Sequence, residues 1–349
     1  MTFFNTSFIN DDYFFIIFSQ YSRYFILFAL FFILKKYSNS ELFRVALEKL
    51  IFEVLIIQIV LSIAKYIIIG PTESIVGSIA SQGGAMATAL PLLGFIFIWL
   101  KKKGKMEVRD WMFTIAMVFI GFVSNKRAIW YVMPVIITLL MFYVPLRKVT
   151  IKIILLTFLA IPLVFYLGVK LTPDLNKENK KWGSFNLDYA LNYARIYSFG
   201  EKKNNEKGIG RGGATLLLYE KIANGEFQEK DFFGYGLRFM YATSYEEFSE
   251  LGFGINHKGS ANGAFQTMVT NGYLGILATV WFALSLLIVT KNRRLRLVLV
   301  GLFCWEYFFY TGIVLREPAL SFLLIYIVLF SGNKVTEDKN RITYSTDIS

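Results

Sequence analysis

The sequence predicts an all-α polytopic membrane protein of about nine transmembrane helices with one large extracytoplasmic helical cap. Three observations predict it. Of 349 residues, 55% are hydrophobic and 18% charged, with a mean hydropathy of +0.49; soluble domains carry roughly 25% charge. The apolar residues fall in long runs, several near the roughly 20 residues a bilayer crossing needs. Basic residues gather in a subset of the short connections, the pattern that orients membrane helices.

The nine runs are 13–34, 49–69, 84–100, 110–124, 128–146, 152–170, 263–290, 297–314 and 317–331. Segments 35–49, 101–109, 147–152 and 291–296 hold four, five, three and four Lys or Arg, and alternation puts all four on one face, assigned to the cytoplasm. The stretch 171–262 then falls outside, with 12 basic and 12 acidic residues in balance. Most of the net charge of +12 is therefore topological, and no nucleic-acid partner is expected. The expected organisation is a bundle of six spans over 1–170, a cap over 171–262, three spans over 263–331 and a cytoplasmic tail over 332–349. Nine spans with a cytoplasmic C-terminus put the N-terminus outside, unless an odd number of leading helices precedes Met1.

Several chemistries are excluded. One cysteine, Cys304, forms no internal disulfide, and one histidine, His257, rules out a multi-histidine metal site. No CxxC, HExxH, P-loop or dinucleotide-binding glycine pattern occurs. Neither metal nor cofactor is expected.

The cap carries helical pattern. Segment 184–200 places Leu187, Ala190, Leu191 and Ala194 on one face, 214–227 reads as a short helix ending near Asn224-Gly225, and 231–241 turns on Gly234 and Gly236. Charges at membrane level mark functional candidates. Lys126 and Arg127 lie between two apolar runs, as interfacial anchors or as an anion clamp, and Arg316 with Glu317 occupies a similar tight turn. Arg211 lies in GIGRGG, where glycines let backbone approach a ligand closely. His257 is either plain surface or a proton acceptor near neutral pH.

Three ordered pieces resemble the O-antigen ligase and polymerase superfamily, the Wzy-like polymerases and WaaL-like ligases of bacterial envelopes. FIGFVSNKRAIWYVMPVI (119–136) resembles the family's helix pair, its arginine falling on Arg127. Segment 210–239 resembles the family's glycine-arginine, helix and GxG turn, here Gly210-Arg211 and Gly234-Tyr235-Gly236. Segment 261–282 resembles its His-Asn, Gln and Gly-x-x-Gly, matched by Asn262, Gln266, Gly272 and Gly275. The family's histidine would align with Ala261, four residues beyond His257, and such proteins usually have more than nine spans. Three further leading helices would repair both number and orientation.

The resemblance implies a GT-C-like, metal-independent glycosyltransferase in the bacterial inner membrane. It would transfer glycan from an undecaprenyl-diphosphate-linked oligosaccharide to a lipid-linked acceptor at the outer face, building O-antigen, capsule or exopolysaccharide. Arg127 and Arg211 would hold the diphosphate and His257 accept the proton. Lys126, Asn262, Gln266 and Arg316 would bind substrate. Membrane lipids and a chain-length regulator protein are the further partners implied. The alternatives are a ligase, a transporter or flippase of the same lipid-linked sugars, and a non-catalytic receptor or scaffold.

Overall fold

A computed structural model describes residues 14–70, 72, 75–78, 85–124, 128–141, 162–163, 165–199, 211–225, 229–234 and 262–331. Regular structure among them is helical. In chain order the helices are α1 (Phe14–Tyr37), α2 (Glu41–Ile69), α3 (Ala85–Lys101), α4 (Val108–Val123) and α5 (Ala128–Met141). A 3-10 turn (Pro173–Leu175) precedes α6 (Leu187–Phe199), α7 (Arg211–Ala223) and α8 (Glu229–Phe233). Then come α9 (Gly263–Val289), α10 (Arg293–Cys304), a π-helical segment (Trp305–Phe309), α11 (Ile313–Arg316) and α12 (Pro318–Phe330).

Local chemistry sets many of these boundaries. Ser40 caps α2 by accepting from the Phe43 amide at 3.3 Å, Glu41 favours the positive end of the helix, and Gly70 ends it at φ +81°. Asn292 starts α10 by accepting from the amides of Arg294 and Leu295. In the first turn of α4, Asp110 accepts from the Glu107 amide at 3.0 Å while Lys102 approaches its carboxylate to 3.4 Å. Gln58 and Ser62 of α2 hold a loop by hydrogen bonds to Gly77 and Ser78, so that Ile75 and Val76 are fully buried. Lys65 donates to the Gly77 carbonyl, which fixes its head on the protein.

The core centres on α3, in which every residue from Ala85 to Trp99 is buried. It packs against α4, α5, α11 and α12. The second central helix, α12, buries Leu320, Leu323, Leu324, Ile325 and Ile327 and meets α3 through Phe97 and Tyr326, ring centres 5.6 Å apart. Around this pair lie α1 against α12, α2 against α4, and α10 against α5. Helix α10 buries Leu295, Val298, Leu299 and Leu302, the three- and four-residue spacing of one face.

The expectation of about nine transmembrane helices is overturned. Among the described residues, two helices are long and apolar enough to cross a membrane, α2 and α9. Four of the expected spans are short helices. Helices of 17, 16, 14 and 13 residues stand at α3, α4, α5 and α12; at 1.5 Å per residue they span about 20–26 Å, against roughly 30 Å of hydrocarbon. The run 297–314 is divided among α10, the π-helical segment and a turn at Gly312, φ +66°. The apolar residues of α3 and α12 serve a protein core, whose demand on sequence resembles that of lipid. The multi-pass inner-membrane placement fails with the span count. The run 152–170 lies largely outside the described residues.

A smaller correction concerns α6. Its helix forms close to the expected 184–200, but the inward residue is Ala190, packed with Val169 and Leu175 and flanked by Tyr193. Leu187 and Leu191 face outward. Packing against Val169 and Leu175 fixes the rotation of the helix more than leucine spacing does.

Candidate functional site

Helix α9 organises the site, beginning with its first turn. Asn262 is fully buried and accepts from the Phe265 amide at 2.8 Å, the capping bond of α9. Its amide nitrogen donates to the Phe308 carbonyl at 2.7 Å and to the Thr215 hydroxyl. Thr215 in turn donates to the same Phe308 carbonyl at 2.7 Å. One carboxamide thus joins α7, α9 and the π-helical segment. Next to it the Gly263 amide donates to the Tyr310 carbonyl at 2.8 Å, and a Cβ on Gly263 would lie 3.0 Å from the Gly312 amide nitrogen. The wide π turn is closed by the Gly312 amide on the Glu306 carbonyl at 2.9 Å. Such turns interrupt the α-helical ladder and are frequent at functional sites.

Two turns along, α9 breaks. Gly272 has φ +68° and ψ −167°, a conformation open to glycine. The break receives α8, which brings the buried Asp231 and the Phe232 ring, 6.2 Å from the ring of Tyr273. Burial, and secondarily the negative charge of Asp231, push the Tyr273 hydroxyl above its ordinary pKa. That phenol stays protonated through the neutral range.

Past these joints lies a cleft. Gly263, Thr267, Asn271, Gly275 and Thr279 recur at four-residue intervals and all line one compartment of about 330 Å³, opposite Phe25 and Phe28 of α1. A second compartment of about 260 Å³ runs between Val280, Leu284 and Leu287 of α9 and Val300 and Phe303 of α10. The two share Thr279, Tyr307, Gly312 and Leu315. The walls are largely apolar. Thr267 and Thr279 bond their hydroxyls to the carbonyls of Gly263 and Gly275, at 2.8 and 2.9 Å, which leaves their methyl groups for packing. Glu306, 3% exposed, is the acidic side chain on the lining.

No protein-family model matches this chain, and neither the curated proteins nor the solved structures give a match. The likeness to the Wzy/WaaL superfamily is overturned by the helix count: among the described residues two helices, and not a polytopic bundle, are long and apolar enough to cross a membrane. With it fall the metal-independent glycosyltransferase, the polymerase and ligase readings, and the flippase alternative, all of which need a many-span membrane body.

The expected site residues are unevenly placed. Asn262 and Gln266 stand one turn apart at the start of α9, with the Gln266 amide bonded to the Asn262 carbonyl at 2.9 Å. Arg211 is the first residue of α7, which packs on α9 and on the π-helical segment. Arg316 is the last residue of α11, next to the cleft residue Leu315. Lys126, Arg127 and His257 lie outside the described residues. Sequence reasoning missed Thr215, Asn271, Glu306 and Thr311. The four-residue row from Gly263 to Thr279 was a readable signal for the cleft face. Nothing local marks Thr215, whose partner Phe308 stands 93 residues away.

Proposed function

We propose that this chain is a non-catalytic binding protein for a lipid, whose apolar chain occupies the cleft along α9. The observation that carries the reading is the pair of adjoining apolar compartments, about 330 and 260 Å³, on either side of Thr279 and Tyr307. Each approaches or enters the size range of small-molecule sites, roughly 300–1,000 Å³, and the two adjoin at shared residues. Burial of such a chain yields about 0.8 kcal/mol per methylene group, so a long chain supplies affinity without any specific polar contact. We assign the anionic head of the lipid to Arg211 and Arg316, whose guanidinium groups suit phosphate. Arg211 opens α7, which packs on α9, and Arg316 follows the cleft residue Leu315.

The test uses purified full-length protein and a bromine-labelled lysophosphatidic acid delivered from a cyclodextrin carrier. Saturable quenching of tryptophan fluorescence is expected, because Trp281 and Trp305 belong to the elements that wall the cleft. Thr279→Trp, which fills the shared position, should weaken binding at least about tenfold with helicity retained. Absence of saturable quenching in the native chain, or unchanged affinity in the filled variant, would overturn the reading.

A further inference from the structure

We infer that the adjoining faces of α1 and α9 dock on an anionic lipid bilayer, lying in its surface without crossing it. The inference goes beyond the lipid-binding reading above and stands without it.

The surface begins as a sequence pattern. In α1, Phe25, Phe28 and Phe32 recur at intervals of three and four residues, the spacing of one helix face. In α9 the same intervals join Leu274, Leu277, Trp281, Leu284 and Ile288. All of these side chains are exposed: Phe25 by 73%, Trp281 by 75% and Ile288 by 79%. The next interval reaches Lys35 in one stripe and Lys291 in the other, both exposed. Each apolar stripe therefore ends on a lysine.

Packing sets the stripes side by side. The rings of Phe28 and Phe282 meet edge to face, 5.9 Å apart. Leu27 and Leu34 of α1 and Leu286 of α9 enter one core cluster, so the stripes, on the far sides of their helices, face outward together. The two helices also run the same way. Helix α9 leaves from beside Gly312. So does α12, which packs along α1 and reaches Tyr326, bonded to Glu48 past the end of α1. Lys35 and Lys291 therefore lie at one end of the surface, together with the exposed Lys36 and Arg293.

Single exposed apolar side chains are ordinary, whereas contiguous stripes on adjoining helices mark an interaction surface. Charge selects the occupant. Neither 14–37 nor 263–304 contains an acidic residue, and Glu41 and Glu48, which follow Lys36 in the chain, are paired with Arg44. Apolar side chains that end in lysine and arginine, with an exposed tryptophan among them, match the boundary between acyl chains and anionic headgroups. A second copy of the chain fits less well. Two-fold pairing sets the same patch against itself, which brings lysine against lysine or against the apolar stripe. Because α1 and α9 are held to the core on their inner sides, the surface enters the bilayer by about 5–10 Å, the depth of an interfacial helix face. The cleft borders it: Phe25 and Phe28 also line the larger compartment, and Val280 and Leu284 the smaller.

The test is flotation of the purified full chain with vesicles of phosphatidylcholine alone or mixed two to one with phosphatidylglycerol. Binding to the mixed vesicles is expected, at least about tenfold stronger than to the neutral ones and released by alkaline carbonate. Phe32→Gln with Leu277→Gln, and separately Lys35→Gln with Lys291→Gln, should each weaken it about tenfold or more at unchanged helicity. None of these residues lines the two compartments, so quenching by the bromine-labelled lipid should persist in both variants. Vesicle binding without that quenching in the native chain would overturn the cleft reading and leave the docking surface standing. Equal binding to neutral and mixed vesicles, or full binding by either variant, would overturn the docking surface. So would retention after the carbonate wash, which would mean a crossing. A dimer that the Phe32 and Leu277 changes dissociate would give the face to a second copy and overturn it as well.

Discussion

Gly234 and Gly272 meet backbone to backbone where α8 enters the break in α9. A Cβ on Gly234 would lie 2.5 Å from the Thr270 carbonyl carbon, and one on Gly272 would lie 2.3 Å from the Phe232 carbonyl oxygen. Both have positive φ, +79° and +68°. No side chain of any size fits at either position without separating the two helices. The joint therefore fixes the bend of α9, and through it the place of Asn271.

Gly272→Ala is expected to destabilise the protein by more than about 2 kcal/mol, since strain at positive φ adds to overlap with backbone that cannot yield. Gly225→Ala is the internal reference: it too has positive φ, +65°, but nothing lies within 4 Å of its added methyl group. It should cost about 1 kcal/mol from conformation alone. Thermal unfolding of the two variants checks the difference. Equal losses would mean that the close approach of Gly234 and Gly272 contributes nothing.

Asn262 separates two roles in one side chain. Asn262→Ala removes the cap of α9 and the bonds to Thr215 and Phe308, an expected loss of about 2–3 kcal/mol. Asn262→Asp keeps an oxygen for the Phe265 amide but sets a carboxylate against the Phe308 carbonyl, so it should lose as much or more. Hydrogen exchange distinguishes them. Protection of the Phe265 amide should fall in the alanine variant and persist in the aspartate variant.

Tyr326 and Glu48 join α12 to α2 by a hydrogen bond of 2.9 Å, donated by the phenol. Burial first, and then the carboxylate of Glu48, push the phenol well above its ordinary pKa. A raised folded-state pKa means that the neutral phenol contributes stability in full below the unfolded value, about 10. That contribution declines as pH rises above about 10 and is lost through the folded-state pKa. Tyr326→Phe cannot ionise, so its stability deficit relative to the native chain should shrink between about pH 10 and 12. A deficit unchanged by alkali would show that the pair does not couple folding to ionisation.

Much local structure was legible. The start of α9 at Gly263, the helices near 184–200 and 214–227, and the turn at Gly234 all follow from capping residues, glycine and apolar spacing, which act within a turn or two of chain. These signals are local because the hydrogen bonds and dihedral preferences that cause them are local.

What the apolar runs pack against was not legible. Hydropathy records a preference for leaving water, and a protein core satisfies that preference as well as hydrocarbon does. The continuous run of α3 therefore reads as a span until α4, α5 and α12 are seen to enclose it. The site is hidden for a related reason. Its parts come from α1, α7, α9, the π-helical segment and the turn at Gly312, and they meet only when the chain has folded. The four-residue row from Gly263 to Thr279 fixes one wall in the sequence; the break at Gly272 and the turn at Gly312 that complete the cleft are backbone bends whose cost is borne by tertiary packing.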